Sequence, residues 1–263
     1  MNDPAKKAAA FRALHEREGA FILPNPWDIG TARLLAQLGF EALATTSAGY
    51  AFSLGQRDNT VGRDAMMDHV RVIVSATELP VSADLENGFG DDPDTIAETF
   101  RMAAATGLAG ASIEDATGRP GDPIYDRGLA VDRVRAAVET FPFVLTARAE
   151  NFLVGRPDLK DTIERLQAYQ EAGAHVLYAP GLKTKEDIAA VVSSVDRPVN
   201  VLMEGTRLSL AELSDLGVKR VSTGSALARA AFGAFLRAAR ELKEHGTFSS
   251  ETVSYPELSA LFG

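Results

Sequence analysis

The chain has 263 residues, 46% hydrophobic and 24% charged, which is ordinary for a globular protein that buries a full core. A formal net charge of −9 argues against a nucleic-acid surface, and the absence of cysteine excludes disulfides, thiolate catalysis and cysteine-bound zinc. Without a long apolar run or a signal-peptide pattern over residues 1–12, the expected location is the cytoplasm, away from membranes.

Short apolar runs typical of β-strands alternate along the chain with amphipathic stretches typical of helices. The predicted strands are Phe21–Pro24, Ala42–Thr46, Val81–Leu85, Ala111–Glu114, Phe143–Ala147, Val176–Ala179, Val199–Leu202 and Arg220–Thr223. Eight strand–helix units predict a single (β/α)8 barrel of the TIM type over residues 1–263. A doubly wound open sheet is disfavoured, because no glycine-rich dinucleotide fingerprint follows the first strand.

Extra helices are predicted after the eighth strand, over Ser225–His245 and Tyr255–Phe262. The first of them carries an apolar face that packs either on the barrel or on a partner subunit. That face consists of Leu227, Ala231, Phe235, Ala238 and Leu242.

Two segments are too long for simple strand-to-helix connections. They are Ser47–Gly62 after the second strand and Asp115–Leu129 after the fourth. Both follow the carboxyl ends of strands, the face on which barrel enzymes carry their active sites. We therefore expect them to act as lids or binding loops.

Acidic side chains cluster at neighbouring strand ends. Asp84 and Glu86 are two residues apart, so on a strand they would share one face, and Glu114 ends the next strand. Converging carboxylates repel one another unless a cation neutralises them, and oxygen ligands favour Mg²⁺ or Mn²⁺ over Zn²⁺. The alternative is a solvated acidic rim bridged by arginine.

Arg148 lies at the end of the apolar run FVLTARAEN. A cation there needs a partner, because its burial alone is costly. It could form a structural ion pair with Glu150 or Glu114. We favour the second interpretation, in which its planar fork grips a substrate carboxylate.

Loop residues after the second strand are further candidates. Ser47, Ala48 and Gly49 could turn their backbone N–H groups into the barrel mouth as an anion site, or form an ordinary turn. Asp58 could close over a bound substrate, or form a turn beside Asn59.

Three further candidates for substrate contact or catalysis stand at the ends of strands one, six and seven. They are Trp27, Tyr178 and Asn200.

Together these segments resemble the isocitrate lyase/phosphoenolpyruvate mutase superfamily. The resemblance spans Phe21 to Arg240 and rests most specifically on the run SADLENGFG with the later IED. The other matching pieces are NPWDIGTARLLAQLGFEALATTSAG, the loop residue Asp58, LTARAEN and VNVLMEG. The resemblance implies a (β/α)8 barrel that forms a homo-oligomer, often a tetramer with a helix exchanged between subunits.

The resemblance also implies roles for individual residues. It makes Asp84 a direct Mg²⁺ ligand, with Glu86, Glu114 and Asp58 holding its waters or closing over it. It assigns the substrate carboxylate to Arg148 and the Ser47–Gly49 segment, and a polar substrate contact to Asn200.

One segment departs from the family pattern. The carbon–carbon lyases of the family carry a K-[KR]-C-G-H motif on the strand-four loop, whereas this loop reads DATGRPGDPIYDRG. The resemblance therefore implies an oxaloacetate-decarboxylase-like or less-characterised branch, whose substrate is a small 2-oxo or 2-hydroxy acid cleaved through an enolate. Tyr178, or a water held by Glu114, is the candidate proton donor.

Three alternatives remain open at this point. They are a phosphorus–carbon enzyme (mutase or hydrolase), a lyase for a larger 2-hydroxy acid, and a non-catalytic barrel that binds a 2-oxo acid.

Overall fold

A computed structural model describes residues 3–262, so residues 1, 2 and 263 of the predicted domain lie outside the described residues. The strands are β1 (Phe21–Leu23), β2 (Leu43–Ala44), β3 (Val81–Asp84), β4 (Gly110–Glu114), β5 (Ala116–Arg119), β6 (Asp122–Ile124), β7 (Val144–Arg148), β8 (Val176–Tyr178), β9 (Val199–Leu202) and β10 (Arg220–Ser222). All except β5 and β6 belong to one parallel sheet in the order β1-β10-β9-β8-β7-β4-β3-β2. Strands β5 and β6 form a separate antiparallel hairpin.

The two ends of the parallel sheet are joined at the barrel mouth. The amide of Ala44 in β2 donates to the carbonyl of Pro24, which follows β1, at 3.0 Å. The Asn25 side chain donates to the Thr45 carbonyl at 2.9 Å and accepts the Gly224 amide at 2.9 Å. The predicted TIM-type (β/α)8 barrel is therefore confirmed.

Helices surround the sheet and cover it with their apolar faces. They are α1 (Pro4–Glu16), α2 (Ile29–Gln37), α3 (Ser47–Ser53), α4 (Arg63–Ala76), α5 (Pro93–Ala104), α6 (Arg127–Thr140), α7 (Leu159–Glu171), α8 (Lys185–Ser193), α9 (Leu210–Asp215), α10 (Ala226–His245) and α11 (Tyr255–Phe262). In α5, Ile96, Phe100 and Ala103 are fully buried one helical turn apart, as the sequence periodicity requires.

Both segments predicted as long loops contain regular structure. Ser47–Gly62 begins with the short helix α3, so its irregular part is confined to residues 54–62. Asp115–Leu129 contains the β5–β6 hairpin and the first turn of α6. Only the first segment therefore keeps an extended irregular stretch, and that stretch carries Asp58.

The expectation that Asp84 and Glu86 share a strand face is wrong. Strand β3 ends at Asp84, and Glu86 has a φ of +50° because the chain turns there. The Gly88 amide closes the turn by donating to the Leu85 carbonyl at 2.8 Å. Gly88 has a φ of +76°, and a Cβ there would lie 2.6 Å from the Ile96 Cδ1, so this turn needs glycine.

Helix α10, which follows the last strand of the barrel, is barely covered by the barrel. Among its described residues only Ala228 is buried, while Phe235 is 69% and Leu242 50% exposed. None of the described helices is long and apolar enough to cross a membrane.

Candidate active site

A cavity of about 370 Å³ opens at the carboxyl ends of the strands and extends into the barrel. The polar side chains that line it come from successive strands: Asp84, Glu114, Arg148, Tyr178, Asn200 and Ser222. Parallel strands of a barrel bring their carboxyl ends to one face, which is why residues so distant in sequence meet here.

Arg148 contacts three carboxylates at one wall of this cavity. Its Nη1 lies 3.0 Å from an oxygen of Asp84, its Nη2 3.0 Å from Glu114 and its Nε 2.8 Å from Glu150. The side chain is 14% exposed, so these ion pairs are largely shielded from water. A guanidinium has five N–H donors, so two remain for a ligand in the cavity. The ion pairs and the predicted contact with a substrate carboxylate are therefore compatible.

Asp84 is held from the opposite side by the start of α3. Its Oδ2 accepts the Ser47 amide at 3.2 Å and the Ser47 hydroxyl at 2.9 Å. The same hydroxyl lies 3.2 Å from Oδ1 of Asp58, and the Asp84 amide donates to the Thr45 hydroxyl at 2.9 Å. Ser47 thereby brings the loop carboxylate of Asp58 beside Asp84.

Glu86 is buried next to this pair without a compensating contact. Its Oε1 has no hydrogen-bond partner among the described residues. Burial, and then the charges of Asp84 and Asp58, raise the pKa of Glu86 to about 8. Burial and the charge of Asp84 also raise the pKa of Asp58. This excess of negative charge is the condition that a bound cation relieves.

The donor set fits a hard divalent cation. In the part of the chain from 3 to 262, no three acidic or histidine side chains are already grouped as a metal site. Arg148 lies between Asp84 and Glu114 and forms ion pairs with both, but its single positive charge does not balance the two carboxylates. The unpartnered Glu86 oxygen and the paired Asp58 and Asp84 still offer the oxygen ligands that Mg²⁺ and Mn²⁺ prefer. These are the residues that would hold such an ion.

Most of the predicted site residues line the same cavity. Ser47, Ala48, Asp58, Tyr178 and Asn200 all belong to its walls, together with the residues already described. Glu86 instead lines a neighbouring cavity that shares Glu114 with the first.

Trp27 and Gly49 lie behind the wall rather than in it. The Gly49 amide donates to the Thr46 hydroxyl at 3.2 Å as part of a helix cap, so it is not directed at a ligand. A Cβ on Gly49 would lie 3.2 Å from the Trp27 Cβ and 3.1 Å from the Ala228 Cβ. Gly49 therefore allows close packing of α3, the segment between β1 and α2, and α10 behind the site.

Tyr178 presents a phenol to the cavity between two arginines. Its ring lies 5.3 Å from the Arg148 guanidinium carbon. Burial raises the pKa of Tyr178 to about 12. The phenol therefore keeps its proton at every physiological pH and can act as a donor.

The β5–β6 hairpin forms a wall and supplies no acid or base to this cavity. Of its residues only Ala116 lines the cavity. The hairpin is fixed to the turn after β3, because Arg119 and the Tyr125 hydroxyl contact Asp91 at 2.8 Å and 2.6 Å. Next to it, buried Asp115 accepts the Tyr169 hydroxyl at 2.5 Å.

Two charged residues lining the cavity were missed as site residues by reasoning from the sequence. Glu150 binds Arg148, and Arg220, the first residue of β10, reaches the cavity floor. The available signal for Arg220 was a charged residue inside the apolar run of a barrel strand.

A family model described as phosphoenolpyruvate phosphomutase matches residues 11–243. The chain belongs to this family, and with it to the isocitrate lyase/phosphoenolpyruvate mutase superfamily of divalent-metal-dependent lyases and mutases. The resemblance predicted from the sequence is therefore confirmed.

Individual proteins of known sequence are similar to most of this chain. An uncharacterised protein of Mycobacterium tuberculosis is 33% identical over 95% of both chains. The 2-methylisocitrate lyase of Escherichia coli is 34% identical in an alignment of 189 residues that covers 68% of this chain and 62% of that enzyme.

Among solved structures, a Burkholderia cenocepacia protein provisionally named a lyase/mutase is 61% identical, with a TM-score of 0.96 over 99% of this chain and 96% of that chain. Oxaloacetate acetylhydrolase bound to its product oxalate is 28% identical, with a TM-score of 0.86 over 97% and 93% of the two chains. The lyases among these relatives support the interpretation of the chain as a carbon–carbon lyase.

Proposed function

We propose that the chain is a Mg²⁺-dependent carbon–carbon lyase for a small 2-oxo or 2-hydroxy dicarboxylic acid, with oxaloacetate decarboxylation as the model reaction. One observation carries the proposal: a single cavity combines the carboxylates of Asp58 and Asp84 with the Arg148 guanidinium and the protonated phenol of Tyr178. A cation site, an anion site and a proton donor are the parts that such a reaction needs.

Asp84 would hold the ion directly, with Asp58, Glu86 and Glu114 binding the water around it. When bound, the ion supplies Lewis-acid stabilisation for charge that develops on the 2-oxo oxygen. The two remaining N–H groups of Arg148 bind the adjacent substrate carboxylate. Asn200 lines the cavity on the opposite side and fixes the orientation of the substrate.

Decarboxylation then needs one bond cleavage and one protonation. The bond between C3 and C4 of oxaloacetate breaks, its electron pair moves to the 2-oxo oxygen as an enolate, and CO₂ leaves. C3 takes up a proton as the carbonyl re-forms, which gives pyruvate. Tyr178 is the proposed donor because its phenol is protonated, and a water held by Glu114 is the alternative.

The β5–β6 hairpin favours this reaction over cleavage of a tricarboxylic substrate. No thiol, lysine or histidine stands on the hairpin, and only Ala116 lines the cavity. Decarboxylation requires no acid or base from that side of the cavity, so it can proceed without a thiol, lysine or histidine on the hairpin.

The test is release of pyruvate from oxaloacetate, measured with a coupled lactate dehydrogenase and corrected for the rate that free Mg²⁺ produces. We expect turnover with Mg²⁺, loss of turnover with a chelator, and loss in Asp84→Asn. Phosphorus NMR with phosphonopyruvate runs in parallel. Conversion of that compound without turnover of oxaloacetate would make the chain a phosphorus–carbon enzyme. Binding of oxalate without either turnover would make it a binding barrel.

We also propose that α10 packs on a partner subunit, so that the enzyme is a homo-oligomer. If α10 packed on its own barrel, the side chains of Phe235 and Leu242 would be mostly buried. Instead they are 69% and 50% exposed. Light scattering should give a mass of two or four chains for the unmodified protein, and Phe235→Glu should lower it. A monomeric unmodified protein would contradict this proposal.

A further inference from the structure

Arg220 differs in its contacts from Arg148, the other arginine that lines the cavity. It is 4% exposed, yet it lines the floor of the cavity. Its Nε donates to the Asn200 side-chain oxygen at 2.9 Å and its Nη2 to the Thr146 hydroxyl at 3.0 Å, while Nη1 lies 3.5 Å from Nε2 of His15. No carboxylate between residues 3 and 262 forms an ion pair with it.

The partner on the far side of Arg220 is neutral as well. Nδ1 of His15 lies 2.8 Å from the Phe11 carbonyl, so this nitrogen carries the proton and Nε2 is left as an acceptor. Burial, and then the charge of Arg220, lower the pKa of His15 to about 3. Arg220 thus makes three contacts, all with uncharged groups, and two of its five N–H donors stay without an acceptor.

Two other shielded arginines are paired with carboxylates. Arg165 contacts Asp115 and Asp161, and Arg148 contacts three carboxylates. Arg133 donates to backbone carbonyls of the turn after β3 and does not line the cavity. An uncompensated buried cation is costly, so a position that keeps one beside a cavity points to an anion that enters from outside.

We infer that Arg220 binds the second carboxylate of a dicarboxylic substrate, the end that lies away from the acidic cluster. Ser82 and Ser112 also line the cavity and offer hydroxyl donors to the same group. This inference rests on the proposed function, because it assumes that Arg148 and the cation take the 2-oxo or 2-hydroxy acid end. It assigns to Arg220 the choice between dicarboxylic and monocarboxylic acids.

Two pairs of small acids isolate the second carboxylate. Oxaloacetate is pyruvate with one added carboxylate, and malate is lactate with one added carboxylate. Dissociation constants are measured by calorimetry on the Mg²⁺-loaded protein, with KM in place of the dissociation constant for oxaloacetate where the protein turns it over. Arg220→Met, Arg220→Lys and Thr146→Val are measured beside the unmodified chain. Thr146→Val is the matched control, since it removes one contact inside the barrel and keeps the charge.

The unmodified protein should bind each dicarboxylate about 10- to 100-fold more tightly than its monocarboxylate, as expected for hydrogen bonds to a charged group. Arg220→Met should erase this ratio by weakening dicarboxylate binding far more than monocarboxylate binding, Arg220→Lys should keep part of it, and Thr146→Val most of it. If Arg220→Met does not fold, the comparison of Arg220→Lys with Thr146→Val still decides.

An unmodified protein that shows no preference for dicarboxylates would overturn the inference, as would a ratio that survives Arg220→Met or falls equally in Thr146→Val. A preference that depends on Arg220, without turnover of oxaloacetate, would instead count against the proposed function alone.

Discussion

Two arginines of one cavity differ in how their charge is balanced. Arg148, at the barrel mouth, contacts three carboxylates within 3.0 Å. Arg220, at the floor, contacts only neutral groups. The mouth therefore carries an excess of negative charge, which favours binding of a cation together with a substrate. The floor carries an excess of positive charge, which favours binding of an anion alone. On the proposed function, this difference would assign the cation and the 2-oxo acid end of the substrate to the mouth, and recognition of the second carboxylate to the floor.

The largest effect should follow a change at the mouth. In Asp84→Asn the group that would hold the ion loses its charge, while Ser47 and Arg148 keep a partner of the same shape. We expect kcat/KM for the confirmed substrate to fall about 1,000-fold, because a metal ion contributes several kcal/mol of charge stabilisation. Steady-state kinetics checks this. A loss below about tenfold would remove Asp84 from the centre of the site.

The contrast between the arginines should be visible in stability. Arg148→Met leaves Asp84, Glu114 and Glu150 without their shared cation in a shielded place. We expect the free energy of unfolding to fall by about 3–5 kcal/mol, the usual cost of breaking a buried ion pair from one side. Urea denaturation of the metal-free protein measures it. A change below about 1 kcal/mol would mean that these ion pairs are solvated.

The acidic excess of the mouth should make the metal-free protein sensitive to pH. Burial and the charges of Asp84 and Asp58 raise the pKa of Glu86 from 4.5 to about 8, so the folded protein keeps a proton that the unfolded chain has released. The resulting stability is fully present below pH 4.5 and is lost as pH rises towards 8. We expect a loss of about 1 kcal/mol per pH unit in this window.

Denaturation at several pH values, without metal, tests the effect of Glu86. Glu86→Gln should flatten the slope, since the amide does not ionise. A slope that is the same in both proteins would show that another group is responsible.

The smallest effect is expected at the floor. Arg220→Met removes a buried charge that has no counter-charge, and with it the free-energy cost of keeping that charge away from water. This saving offsets the loss of the hydrogen bonds to Asn200 and Thr146. The free energy of unfolding should change by less than about 1 kcal/mol. If calorimetric melting instead shows a loss as large as that of Arg148→Met, the two arginines are equivalent structural residues.

The sequence was sufficient for the fold because each strand is a short apolar run bounded by turns. Val199–Leu202 has the predicted bounds, and the other strands of the barrel differ from prediction by one or two residues at their ends. The helices follow from the same alternation. Most of the site residues predicted at strand ends also line the cavity, because the barrel topology brings them to one face.

Contacts between strands could not be predicted in the same way. Arg148 contacts Asp84 as well as Glu114, and the second of these contacts could be expected from neighbouring strands, whereas the first depends on how the strands of the closed barrel lie in space. Arg220 starts its strand, at the end of the barrel that is normally structural, and enters the cavity only through the length of its side chain. The error at Glu86 was avoidable, since the following Asn87–Gly88 pair is a strong turn signal.

Binding of Mn²⁺, followed by electron paramagnetic resonance in the presence of oxalate, tests the central claim most directly. The account predicts one bound ion per chain in the unmodified protein, and at least about 10- to 100-fold weaker binding in Asp84→Asn with an unchanged melting temperature. Equal Mn²⁺ affinity in both proteins would contradict it, because the ion would then lie away from the acidic cluster at the barrel mouth.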